Sequence, residues 1–182
     1  MVKGRVITMA DEMRLGLQGK VRRVWAERGV KVVQKLQFVF EWAYLLLAVD
    51  PVKGTLFWDW IPDMKQASFI PVLTQWSAEI DCFVWDGAAS HCGKEVGRLA
   101  FERLFQPAYS PEVNPVERIF AEVRRHTEGR IYETLDEKKA AAETYLSELS
   151  ADPERVIKLA GWHWIQEALS ALPESPFRPS SD

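Results

Sequence analysis

Apolar residues gather in short runs through the first half of the chain and at helical spacing through the second. Val6 to Ala10 is nearly continuous and β-branched at its start, which predicts a strand buried on both faces and ending at Asp11. Gly16 and Gly19 mark a turn, and Lys20 to Trp25 reads as a second, basic strand. From Leu36 to Trp42 large apolar residues fall at every second position, a strand pattern that continues through Ala43 to Val49. Asp50 to Gly54 forms a turn and Thr55 to Trp60 the returning strand of a hairpin. Pro62 opens a helix reaching Ala78, which Pro71 is expected to break or kink. Cys82 to Trp85 is another buried-strand run, again followed by an aspartate, Asp86.

Helices dominate the remainder. Residues 93–101 read as a short helix, and Gln106 to Pro115, with three prolines, as a loop. The spacing Val113, Val116, Phe120, Val123 marks an amphipathic helix. Thr134 with Glu137 is a capping box that opens a helix to about Leu149. Asp152-Pro153 places a cap and a first-turn proline ahead of a last helix to about Leu172. Pro173 to Asp182 reads as a mobile, Pro/Ser-rich tail after a single domain spanning 1–172. The expected class is α/β: a mixed central sheet, an antiparallel meander plus a parallel strand, flanked by helices.

Composition narrows the class only a little. The 182 residues are 47% hydrophobic and 27% charged, which excludes a disordered chain. The longest apolar run, Trp42 to Val49, is far shorter than the ~20 residues a membrane helix needs. Two cysteines, Cys82 and Cys92, make neither a disulfide framework nor a zinc set, and a reducing cytoplasm is expected. The net charge of −3 hides an asymmetry, +6 over residues 1–40 and −9 over the rest. A basic end suits a phosphate backbone, whereas the acidic body opposes tight nonspecific DNA binding.

The chemistry is carried by carboxylates. If the strands ending at Asp11 and Asp86 are parallel neighbours, their side chains converge at one rim of the sheet. Glu117 opens the helix after the proline loop. At ~100° per residue it stands roughly 40° from Val113 and roughly 60° from Phe120, on the border of the buried stripe. Three converging carboxylates repel one another unless a cation intervenes. Hard oxygen ligands suit Mg²⁺ or Mn²⁺, and a pair of such ions can clamp an in-line phosphoryl displacement. The plainer reading is that strand-end aspartates are turn or cap residues.

Other polar residues carry two readings each. Glu12 follows Asp11 on a strand and faces the opposite way, away from the chemistry. His91 either orients a phosphate or metal-bound water, or merely orders its loop. Arg124 lies two turns beyond Glu117, placed to meet DNA phosphate or simply solvated. Lys20, Arg22, Arg23 and Arg28 form either a backbone track or the charged protection of an edge strand. The eight tryptophans are expected in the core, except that Trp162 and Trp164 cannot share one helix face.

The run Asp86-Gly87-Ala88-Ala89-Ser90-His91, with Pro107-Ala108-Tyr109-Ser110-Pro111-Glu112-Val113-Asn114-Pro115-Val116-Glu117, resembles the signature of DDE transposases of the mariner superfamily, closest to the bacterial insertion-sequence branch. Met9 to Arg14, with Arg22 to Gly29 behind it, resembles the first catalytic strand of that family and its neighbour. The likeness runs from about Ile7 to about Leu149. It implies an RNase H-like fold and a two-metal site of Asp11, Asp86 and Glu117, with Asp11 bridging two Mg²⁺ or Mn²⁺ ions and the other two each holding mainly one. It implies DNA cleavage at transposon ends followed by strand transfer, with DNA as partner and a homodimer or pairing with a full-length transposase. Such families carry helix-turn-helix modules ahead of the catalytic domain, whereas ten residues precede Asp11 here. The expectation is therefore a catalytic domain alone, the alternative a non-catalytic module that pairs with a full-length transposase.

Overall fold

The computed structural model describes residues 5–19, 25–107 and 110–172. Five strands, β1 (Ile7–Gly16), β2 (Trp42–Asp50), β3 (Thr55–Ile61), β4 (Cys82–Trp85) and β5 (Glu102–Phe105), form one sheet in the order β3-β2-β1-β4-β5. β1, β2 and β3 are an antiparallel meander, while β4 and β5 run parallel to β1. This is the mixed sheet expected from the apolar runs.

The sheet is covered on both faces, which is why its interior strand β2 has no polar alternation. Leu45, Leu46, Leu47, Ala48 and Val49 are all fully buried. On one face Leu45, Leu47 and Val49 pack with Met9, Met13 and Cys82 beneath α2 (Val116–Thr127), α3 (Leu135–Ser150), α4 (Pro153–Ala160) and α5 (His163–Ser170). On the other face Leu46 and Ala48 join Ala10, Phe83 and Trp85 beneath Phe69, Leu73 and Trp76 of α1 (Gln66–Trp76). Successive side chains of a strand point to opposite faces. Odd-numbered residues of β1 therefore look toward α2, and even-numbered ones toward α1.

Helix boundaries follow local chemistry. Thr134 Oγ1 accepts from the Glu137 N–H at 3.2 Å, and Glu137 reaches back to the Glu133 N–H at 2.9 Å. Asp152 caps α4 by accepting from the Arg155 N–H at 3.0 Å. The single last helix expected from the periodicity divides at Gly161, where the chain passes so close to the Pro51 carbonyl that a Cβ would not fit. α1 starts at Gln66, not Pro62, because Asp63 folds the intervening residues into a turn by accepting from the Lys65 N–H and the Ser68 hydroxyl. Pro71 does not break it. The hydrogen bond that proline removes would have gone to Ala67, in the first turn, and buried Phe69, Val72, Leu73 and Trp76 fasten the helix to the sheet.

Two strand expectations and one helix expectation change. β1 runs five residues past Asp11, since its pairing with β2 continues to Gly16↔Trp42. The alternating stretch 36–41 is irregular, with Phe38 and Phe40 exposed. It touches the end of β1 only through bonds from Leu17 to Glu41 and from Gly19 to Gln37. Alternation makes a strand only where a core lies on one side. Residues 93–101 yield just a 3₁₀ turn at Val96–Arg98, and the four-residue edge strand β5, too short to show a period, follows it. Most of the basic strand expected at 20–25, and the tail at 173–182, lie outside the described residues.

The tryptophans also divide. Trp85 is fully buried and Trp162 packs against the core, whereas Trp25 is wholly exposed and Trp42 and Trp164 nearly half. Among the described residues no helix is long and apolar enough to cross a membrane. Phe120 seats α2 on the sheet and is fully buried. Replacing it with alanine is expected to lower the free energy of unfolding by roughly 3–5 kcal/mol in urea titrations. The exposed Arg125→Ala should change it by less than about 0.5 kcal/mol.

Candidate active site

The parallel pairing of β1 and β4 runs Ile7↔Cys82, Thr8↔Phe83, Met9↔Val84 and then stops. Continued by two steps, the same register sets Asp11 level with Asp86. Alternation places Asp11 on the face of Met9 and Met13, and Asp86 on the face of Cys82 and Val84, both toward α2. Glu117 lies in the first turn of α2 above that face, its side chain 39% exposed. Asp11 thus stands not at the end of its strand but at the end of the parallel pairing, where β4 leaves the sheet.

Asn114 ties the helix to the strand. It is buried, its Nδ2 donates to the Ala10 carbonyl at 3.2 Å and to Asp11 Oδ2 at 3.1 Å, and its Oδ1 accepts from the Val116 N–H at 3.1 Å. One amide therefore satisfies a free N–H at the start of α2 and orients the Asp11 carboxylate. An Asn-Pro pair before an amphipathic helix is a helix-start signal, and that signal could have identified Asn114 as part of the site.

The electrostatics are those of crowded negative charge. Burial pushes the Asp11 carboxyl up to about 7, opposed by the Glu12 N–H and helped by the charges of Glu12, Glu117 and Asp86. The three carboxylates thus feel one another, and all are hard oxygen donors, the chemistry that suits a divalent cation. Among the described residues no group of three His, Cys, Asp or Glu side chains is gathered closely enough to hold one ion as it stands.

The flanking residues sort differently. His91 is 1% exposed, with Nδ1 2.7 Å from Asp86 Oδ1 and Nε2 3.1 Å from Glu12 Oε1. Burial disfavours its charged form, but the Glu12 and Asp86 contacts outweigh that and raise its pKa. With both ring nitrogens engaged and no exposed edge, it offers nothing to a phosphate, which corrects the DNA-contact expectation for it. Glu12 does face away from Asp11, into the layer beneath α1, and meets His91 there. Arg124 is 37% exposed and lies 3.4 Å from Glu117 Oε2. Arg28 is exposed in the turn at Gly29, and Lys20, Arg22 and Arg23 lie outside the described residues.

The sequence profile described as DDE superfamily endonuclease matches residues 6–139, well over half of the chain and all of the site above. No curated protein sequence matches. Among solved structures, the Mos1 strand transfer complex superposes with a TM-score of 0.67 at 17% identity, covering 91% of this chain and 53% of that one. The Mos1 mariner paired-end complex with Mn gives 0.63 at 16%, covering 93% and 57%, and the complex with Mg gives 0.59 at 17%, covering 90% and 55%. The fold is thus the RNase H-like fold of those chains, and this chain spans little more than half their length.

A titration consequence follows from Asp11. A carboxyl whose pKa is raised on folding contributes stability that is complete below its unfolded value, 3.8, and gone above its folded value, about 7. Without added metal, the melting temperature of the native chain should therefore fall relative to that of Asp11→Asn as pH rises from about 4 to about 7. The variant should be the more stable of the two at pH 8. Calorimetric scans at pH 5 and pH 8 check this.

Proposed function

This chain belongs to the DDE superfamily endonuclease family, and we propose that it is the catalytic domain of a transposase, cleaving DNA phosphodiesters at the ends of a mobile element and transferring the freed strand. The observation that carries this reading is the β1–β4 register, which extended by two steps sets Asp11 level with Asp86, with Glu117 in the first turn of α2 and the Asp11 carboxyl pushed up to about 7 by burial and by its acidic neighbours. Mg²⁺ or Mn²⁺, one ion on Asp11 and Asp86 and one on Asp11 and Glu117, would activate the attacking oxygen and stabilise the leaving one. The Mos1 complexes with Mn and with Mg support that choice of ion. Asp11 would be shared by the two ions, and Asn114 fixes its carboxylate by donating to Oδ2 at 3.1 Å. Glu117 is delivered by the same amide through the start of α2.

DNA is the proposed substrate and partner. A cavity of about 270 Å³ lies beside Arg124, lined also by Arg14, Trp42, Arg130 and Lys138. Glu41 and Glu128 share the lining, and its balance stays positive, which suits a phosphate backbone leading toward Glu117. Lys20, Arg22, Arg23 and Arg28 are proposed as further phosphate contacts on the strength of the sequence alone, Lys20, Arg22 and Arg23 lying outside the described residues. The cytoplasm is the proposed compartment, consistent with Cys82 and Cys92 both being free thiols.

A second reading concerns association. The irregular stretch 25–41 exposes Trp25, Val33, Phe38 and Phe40, with half-exposed Trp42 at the start of β2 beside it, apolar side chains of the kind that mark protein contacts when gathered on a surface. We propose that it pairs this chain with another DDE-family chain, either a second copy or a full-length relative. A Phe38→Ser/Phe40→Ser double variant should then sediment as a monomer under conditions where the native chain sediments as a dimer, alone or with such a relative.

The catalytic reading is tested by titrating Mn²⁺ into the native chain and into Asp86→Asn by calorimetry, with and without duplex DNA, beside a plasmid-nicking assay. Loss of about tenfold or more in Mn²⁺ affinity and loss of metal-dependent nicking are expected for Asp86→Asn and for Glu117→Gln. Equal binding by native and variant chains with DNA present would overturn it.

A further inference from the structure

We infer that His91 is a positioning residue for Asp86, clamping one carboxylate oxygen from beneath so that the other is presented for metal binding, with Glu12 as the anchor of the clamp. The inference rests on the two-ion reading above, and it assigns a task to the buried His91–Glu12 pair that the reaction itself does not use.

Asp86 alone is poorly placed to be a precise ligand. Its side chain is 60% exposed, it follows the last residue of β4, and no ladder partner holds its backbone. A carboxylate so placed rotates about χ1 and χ2 unless something fixes it. Two donors converge on Oδ1: the His91 Nδ1 at 2.7 Å and the Ala88 N–H at 3.0 Å. Among the described residues nothing is recorded on Oδ2. A carboxylate with one oxygen doubly held has one direction left for the other.

The clamp is itself fixed from four sides. The imidazole lies flat on Trp85, with centroids 4.2 Å apart and planes at 9°, and meets Phe69 edge-on at 5.5 Å. Its Nε2 is 3.1 Å from Glu12 Oε1, on a side chain only 5% exposed. Nδ1 also lies 3.2 Å from the Asp86 carbonyl, and the backbone is held by the bond from His91 N–H to the Ala88 carbonyl at 2.9 Å and by Arg103, which donates to the His91 carbonyl at 3.3 Å. Glu12, Trp85 and Phe69 all belong to the α1 side of the sheet, so the imidazole lies in that layer and reaches Asp86 Oδ1 from there, beside the point where β1 and β4 part. A buried carboxylate and a buried imidazole need each other, since either alone would be left unpaired. Partners of this kind behind a ligand typically change metal affinity by about 10–100-fold when removed.

Two substitutions separate positioning from space-filling. In His91→Asn the amide nitrogen stands near the imidazole Nδ1 and keeps the hold on Asp86 while losing Glu12. In His91→Gln it stands near Nε2, keeps Glu12 and releases Asp86. Both lose the ring from Trp85. With Mn²⁺ alone as the probe, calorimetry is expected to show affinity about tenfold weaker for His91→Gln and within about threefold of native for His91→Asn. Equal affinities for the two, whether both native-like or both weakened in step with melting temperature, would overturn the inference. Asp86→Asn serves as the control. If that variant binds Mn²⁺ as the native chain does, the two-ion reading itself falls; if it loses binding while His91→Gln retains it, only the role of His91 falls. A measurement on the native protein stands beside the variants in case neither folds. The chain has three histidines, so imidazole resonances can be followed individually as Mg²⁺ is added. The His91 signal should move along the same saturation curve as the heat of binding, with His126 and His163 unchanged. A His91 signal that stays still while Mg²⁺ binds would overturn the inference.

Discussion

The site depends on where one parallel ladder ends. β1 and β4 pair for three residues and then separate, because β4 stops at Trp85 while β1 continues along β2 to Gly16. Up to that point the side chains are apolar except for Thr8, and all are buried except half-buried Val84. Beyond it the gap between the strands admits polar groups, and the first residues to reach it are Asp11 and Asp86. No dedicated loop is needed to bring the carboxylates together. The register does so, and a shift of one residue would turn Asp11 toward α1 and Glu12 toward α2.

Much of this was readable from the chain because burial on both faces writes itself into sequence as unbroken apolar runs. Val6 to Ala10, Ala43 to Val49 and Cys82 to Trp85 each proved to be strands, and their neighbourhood followed from the topology rules of α/β sheets. The helix caps at Thr134 and Asp152 were legible for the same local reason: a side-chain oxygen facing a free N–H needs no tertiary context. What escaped was whatever depended on a partner elsewhere. The alternation at 36–41 signalled a strand, but no core lies beneath it. β5 is four residues of edge strand with no period to detect, and Gly161 divides a helix because of the distant Pro51.

The site residues divide along the same line. Strand runs and helix spacing nominated Asp11, Asp86 and Glu117 only weakly and the family resemblance selected them; in the structure Asp11 feels the charges of the other two. Glu12 faces the α1 layer, as strand alternation alone predicted. His91 carried two readings in the sequence, and its place ordering the loop could not be told from the chain. Its burial comes from Phe69 and Trp85, which pack over it from α1 and β4. Asn114 went unremarked as a contact because its value lies in touching β1 across about a hundred residues of chain.

Gathering carboxylates at a buried sheet end opposes stability, and the molecule arranges which group bears that cost. Asp11 is the most enclosed, and it is the one whose ionisation burial and its neighbours resist. Asp86 and Glu117 remain partly in water, where their charges are screened, and each has a cationic or imidazole partner at hand, Arg124 for Glu117 and His91 for Asp86. The frustration is therefore concentrated on a single carboxyl at the centre of the site, held in place by an amide from α2 and a rigid ladder to β2. Protonation relieves that frustration below about pH 7, and a divalent ion bound there, as proposed, would relieve it above. The free energy withheld from folding at Asp11 would then become binding free energy for the ion, which is how a sheet this well packed could keep a site that repels itself.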